Sequence, residues 1–70
     1  MLEKRSFSLS GHRTSIALEP EFWAALQNIA ALESTSLVGL VARVDATRTP
    51  EHPLASALRV FALQAKSSAP

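Results

Sequence analysis

No cysteine occurs among the 70 residues, so neither a disulfide staple nor a thiolate metal site props up the core. Long hydrophobic runs are also missing. The uncharged stretches around residues 22–32 and 53–58 fall far short of the roughly 20 apolar residues that span a bilayer, and residues 1–10 carry no apolar signal core. A soluble, cytoplasmic protein without a membrane partner is the expectation. Catalytic patterns are absent as well: no glycine-rich phosphate loop, no histidine pair at i, i+4, no nucleophile elbow. His12 and His52 stand in different polar segments and read as two solvated histidines rather than as a metal site. The chain is therefore expected to be no enzyme, with no catalytic residue, cofactor, metal or small-molecule substrate.

Hydrophobic residues make up 47% of the chain, too many for a disordered segment. A domain this small buries only about 60% of its unfolded surface. Ile16, Leu18, Trp23, Leu26, Val41 and Phe61 supply more apolar area than one such subunit is expected to cover, which predicts an obligate homodimer or higher oligomer. Net charge is only +1, but its distribution is uneven: residues 1–18 carry Lys4, Arg5 and Arg13 against Glu3 alone.

Alternation predicts extended structure over residues 4–18. Phe7 and Leu9, then Thr14, Ile16 and Leu18, fall on alternate positions, with serines, Arg13 and Ala17 between them. Gly11 interrupts the pattern, the second run being the better strand and the first an edge strand or a loose arm. Glu19-Pro-Glu21 opens a helix, because proline suits the first helical position and acidic groups oppose the dipole. Leu18 is placed to staple onto Trp23, and Phe22, Trp23, Leu26, Ile29, Ala30 and Leu32 recur at helical spacing.

Ser34-Thr-Ser36 offers N-cap candidates for a second helix bearing Leu37, Leu40, Val41 and Val44 at i, i+3, i+4 and i+7. Its valines and Gly39 give it modest intrinsic propensity, so it depends on burial. A polar connection with two prolines follows, and Pro53 opens a third helix with a stripe of Leu54, Leu58, Phe61 and Ala65. Arg59 and Lys66 are read as exposed solubility charges on it.

A lone strand has two unpaired edges and needs a partner. Residues 5–9 pair with it through the turn at Gly11, or two copies of residues 12–18 pair antiparallel across a dyad. In the second case the helices cover Ile16 and Leu18, and Arg13, Ser15 and Ala17 lie on the outer face of a ribbon sized for a major groove.

The run Arg13-Thr-Ser-Ile-Ala-Leu-Glu-Pro-Glu-Phe-Trp23, with Leu26, Ile29, Ala30 and the start Ser36-Leu-Val-Gly-Leu-Val41, resembles the ribbon-helix-helix DNA-binding proteins of bacteria. Lys4-Arg-Ser, Gly11-His-Arg-Thr-Ser and Ala55-Ser-Ala-Leu-Arg-Val-Phe61 are similar to one compact subgroup. The resemblance implies a mainly α fold with a short β-strand: an intertwined ribbon-helix-helix homodimer with an additional C-terminal helix. Residues 12–66 would form that domain, residues 1–11 an N-terminal arm or edge strand, and residues 67–70 a disordered tail.

The resemblance also implies that double-stranded DNA is the partner and that the protein is nucleoid-associated. Arg13, Ser15 and Ala17 would read bases, Arg13 pairing a guanine and Ala17 touching a thymine methyl, while Thr35 and Ser36 grip phosphate at a helix start. Lys4 and Arg5, from the basic N-terminal segment, and His12, next to Arg13, join them as candidate contacts. Two positions depart from the family pattern: Ser34 stands where glycine is usual between the helices, and Ala17 where a long basic side chain is common.

Two functions follow: a sequence-specific DNA-binding dimer regulating transcription, or an assembly module that keeps the fold without DNA. An ordinary solvated Arg13 and a ligand-free cap at Thr35 or Ser36 accompany the second.

Overall fold

Five elements follow one another along the chain: strands β1 (Glu3–Leu9) and β2 (His12–Leu18), then helices α1 (Pro20–Leu32), α2 (Leu37–Thr47) and α3 (Leu54–Ser67). The computed structural model describes residues 1–67, with side chains through residue 65. The Lys66 side chain and residues 68–70, most of the expected tail, lie outside the described residues.

The two strands form an antiparallel hairpin, paired from Glu3 opposite Leu18 to Leu9 opposite His12. Ser10 (φ 51°) and Gly11 (φ 81°) make the two-residue turn, both in the left-handed region that matches the twist of the flanking strands. A Cβ on Gly11 would meet nothing within 4 Å, so backbone conformation rather than space favours glycine there. Of the two pairings open to β2, the structure has the intrachain one, with β1 as partner along its whole length.

Glu19 is the N-cap of α1, its carbonyl accepting the Phe22 and Trp23 amides, and Pro20 takes the first position. The helix ends in a Schellman motif: the Thr35 amide donates to the Ala30 carbonyl and the Ser34 amide to that of Ala31. That closure requires a left-handed residue, and Ser34 supplies it at φ 55°. At the start of α2 the Ser36 hydroxyl accepts the Gly39 amide at 2.9 Å. A Cβ on Gly39 would lie 2.8 Å from Thr35 Oγ1 and 3.2 Å from Ser36 Oγ, so this glycine leaves room for the two hydroxyls to fold over the helix end. Beyond α2, Arg48 closes the proline-bearing connection, donating to Asp45 Oδ1 at 2.8 Å and to the His52 carbonyl at 3.0 Å.

Helices cover one face of the hairpin. The core combines Phe7, Leu9, Ile16 and Leu18 with Trp23, Leu26 and Ala30 of α1, Leu40, Val41 and Val44 of α2, and Ala57, Leu58 and Ala62 of α3. Here the structure corrects the composition argument: Ile16, Leu18, Trp23, Leu26 and Val41 are at most 3% exposed within one chain, and Phe61 packs half-buried against them. Two additions to the plain strand-helix-helix order explain it, since β1 contributes Phe7 and Leu9 and α3 packs on α1, α2 and β2. Leu32, Val38, Val60 and Leu63 remain exposed. Among the described residues, no single helix is long and apolar enough to cross a membrane.

Candidate nucleic-acid interface

Side chains directly opposite each other in an antiparallel pair share a face, so the register assigns both sides of the hairpin. Phe7, Leu9, Ile16 and Leu18 face the helices. The outer face consists of three cross-strand pairs: Lys4 with Ala17, Ser6 with Ser15, and Ser8 with Arg13. All are exposed except Ala17, which is half-buried. Ser6 Oγ lies 3.1 Å from Ser15 Oγ, and Arg13 Nη1 donates to Ser8 Oγ at 3.1 Å. The surface thus carries two cations, the hydroxyls of Ser6 and Ser15 beside the one Ser8 uses to hold Arg13, a methyl group and no carboxylate. Hydroxyls donate or accept, and a guanidinium with one N–H bound keeps others free for a flat acceptor pair such as a guanine edge.

Of the residues singled out in the sequence, the fold brings Lys4, Arg13, Ser15 and Ala17 together on this face. Arg5 and His12 fall on the opposite parity. Arg5 Nε is 2.7 Å from Glu3 Oε2, and its guanidinium sits 5.0 Å from the centre of the Trp23 ring. Trp23 Nε1 donates to the Glu3 carbonyl at 2.8 Å, and its ring lies 5.8 Å from that of Phe7. Arg5 is therefore part of a clasp holding β1 to α1. His12 pairs with the inward Leu9, remaining exposed at the end of the strand. Ser6 and Ser8 were not singled out, although their alternation with Phe7 and Leu9 is the signal that places them outward.

Thr35 and Ser36 both stand at the α2 start, Thr35 half-buried and Ser36 exposed. Because the Ser36 hydroxyl is taken by Gly39, the amides of Leu37 and Val38 are the donors left without a partner among the described residues.

Arg59, read from sequence as a solubility charge, does something else. Its Nε donates to Glu19 Oε1 at 3.0 Å and its guanidinium lies 5.9 Å from the Phe22 ring centre, because the turn before α3 sends that helix back across α1. Glu19 is held below the ordinary carboxylate range, first by a hydrogen bond from its own backbone amide and then by Arg59. The residue directly after β2 is thereby tied to α3.

Elsewhere, a groove of about 330 Å³ between α2 and α3 is lined by Arg43, Arg48, His52, Val60 and Phe61 among others. Its arginines are engaged, Arg43 with Glu33 at 2.7 Å and over the Phe61 ring, Arg48 as described. Among the described residues no three histidine or acidic side chains are grouped as metal ligands.

A family model described as "Ribbon-helix-helix domain" matches residues 2–65. Among solved structures, the chain is similar along its full length to an uncharacterized protein from Bordetella pertussis Tohama I, with 30% identity and a TM-score of 0.79. The match covers 63% of that protein, so the present chain spans less than two thirds of its relative's length. No curated protein matches the chain.

Proposed function

The chain belongs to the ribbon-helix-helix domain family, and from that membership we propose that it is a sequence-specific DNA-binding homodimer that regulates transcription and resides on the nucleoid. The outer face of the hairpin carries this reading. It is two-stranded, free of large apolar and acidic side chains, and holds Arg13 extended over the strand by Ser8. A major groove about 12 Å wide admits such a ribbon. Arg13 and Ser15 then read base edges, Ala17 touches a thymine methyl, and Lys4, directly across from Ala17, provides the long basic group that Ala17 itself does not.

The Leu37 and Val38 amides at the α2 start are suited to a phosphate oxygen beside the ribbon. Dimerisation is supported by the exposed Leu32, Val38, Val60 and Leu63, of which Leu63 is 63% and Leu32 86% exposed.

The test is selection of duplexes by the wild-type protein from a random-sequence pool, followed by titration of the selected duplex and a scrambled one at fixed salt. A tighter selected duplex supports the reading. Equal affinities for both would favour a role in protein assembly on the same fold.

A further inference from the structure

We infer that the groove between α2 and α3 is a binding site for a small organic anion, a carboxylate carried on a flat apolar body. The inference goes beyond the DNA reading and stands or falls without it. At about 330 Å³ the groove is at the lower end of the range for small-molecule sites, and like them it joins an apolar lining to a few polar groups. The buried Val44 and Ala57 line it together with Val60, 42% exposed, and the half-buried Phe61.

Charge sets the sign of the ligand. Arg43, Arg48 and His52 line the groove and, among the described residues, no carboxylate does; Glu33 and Asp45, which pair with the two arginines, are not part of the lining. The arginines differ in how they are held. Arg48 is fixed on three acceptors, Nε on Asp45 Oδ1 at 2.8 Å and Nη1 on the Thr49 and His52 carbonyls at 3.4 and 3.0 Å. Arg43 makes a single ion pair, Nη2 to Glu33 Oε1 at 2.7 Å, with 51% of its side chain exposed, and a pair so open to water contributes little. Its Nε and Nη1 have no partner among the described residues. The guanidinium also lies 5.9 Å from the Phe61 ring centre. A carboxylate bound on Arg43 therefore has Phe61 and Val60 beside it to cover its apolar body.

The shape fits a small molecule better than a polypeptide segment running through. Arg43 and Arg48 are five residues apart in sequence, about 7.5 Å along a helix. Arg48, donating to the His52 carbonyl, ties the end of α2 to the connection before α3, and His52 Nε2 lies 3.1 Å from Ser56 Oγ. That bridge stands across one end of the groove, so a ligand anchored on Arg43 stops against it.

The test titrates the isotope-labelled full chain with naphthylacetate, and with naphthylacetamide as its uncharged counterpart, followed by NMR. Half-saturation by naphthylacetate is expected at about 1 mM or below, with shifts centred on Val44, Ala57, Val60 and Phe61. The amide should bind about tenfold more weakly. Arg43→Gln should weaken the acid by about tenfold and leave the amide unchanged. Val60→Glu sets a carboxylate in the groove from an exposed position and should abolish binding of the acid. Both variants should melt within a few degrees of the wild type. Equal binding of acid and amide overturns the inference, as do shifts centred on Lys4 and Arg13 of the hairpin, or an Arg43→Gln variant that binds the acid as the wild type does. If the Val60 and Phe61 resonances move on dilution without the anion, a second copy fills the groove and the inference fails.

Discussion

On the inner face of the hairpin Phe7, Leu9, Ile16 and Leu18 are at most 6% exposed, while on the outer face only Ala17 is even half-buried. Both faces come from alternate residues of the same two seven-residue strands. A slip of one residue in β2 would exchange them, driving Arg13 and Ser15 into the core and Ile16 into water. The cost of burying those polar groups enforces the register. Stability thus acts on the inner residues, and the outer ones are left free to serve recognition.

The sharpest way to break this contrast is at the clasp. Trp23→Ala removes a side chain that is 1% exposed, together with the hydrogen bond to Glu3 and the support under Arg5, and should cost about 3–5 kcal/mol in denaturant unfolding followed by circular dichroism. Trp23→Phe should cost less, since it keeps a ring but leaves the Glu3 carbonyl unpaired. Ser15→Ala on the outer face should stay within about 0.5 kcal/mol of wild type. A Ser15→Ala loss as large as that of Trp23→Phe would show that the two faces are not energetically separate.

Next in size is Arg13→Ala. Its stability should also stay within about 0.5 kcal/mol, while binding to the selected duplex falls by about 1–3 kcal/mol per lost base contact and scrambled duplex binding falls less. An unchanged specificity ratio would detach the outer face from recognition.

The joint between α1 and α2 sharpens the comparison from the other side. Ser34 adopts φ 55°, a conformation that costs a residue with a side chain about 1–2 kcal/mol and glycine little. After allowing for the greater unfolded-state freedom of glycine, Ser34→Gly should stabilise the protein by about 0.5–1 kcal/mol without altering the specificity ratio. A thermal melt beside a duplex titration checks both halves.

The smallest effect concerns pH. With its folded pKa lowered, the Glu19 carboxylate contributes stability above its unfolded pKa, and that contribution disappears as pH falls through the folded value. A carboxyl-carbon NMR titration should place the Glu19 midpoint below that of an unstructured peptide. Arg59→Ala should raise it only part of the way, because the bond from Glu19's own amide is the larger cause and remains. Full return to the peptide value would make Arg59 the whole cause.

Lys4 and Arg5 show where sequence reading succeeds and where it slips. Both are basic and adjacent, and charge alone groups them as DNA contacts. Alternation separates them, for the parity that turns Phe7 and Leu9 inward carries Arg5 inward as well and leaves Lys4 with Ser6 and Ser8 outside. The outer position of Arg13, Ser15 and Ala17 follows from the same rule. Arg59 had no such signal, since helical periodicity places it beside the buried Leu58 without indicating that Glu19 stands within reach.

By itself the sequence determined the local features: the turn at Gly11, the proline start of α1, the Ser36 cap, and the apolar stripe of each element. Each depends on backbone preferences and side-chain chemistry within a few residues, where little chain entropy intervenes. Only the tertiary structure decided that β1 pairs with β2, that Trp23 reaches Glu3 across 20 residues, that Arg59 reaches Glu19 across 40, and that one chain encloses its own core. Those outcomes depend on which apolar faces meet when the whole chain packs, and the pattern within any single segment is the same whether its partner lies in this chain or in another.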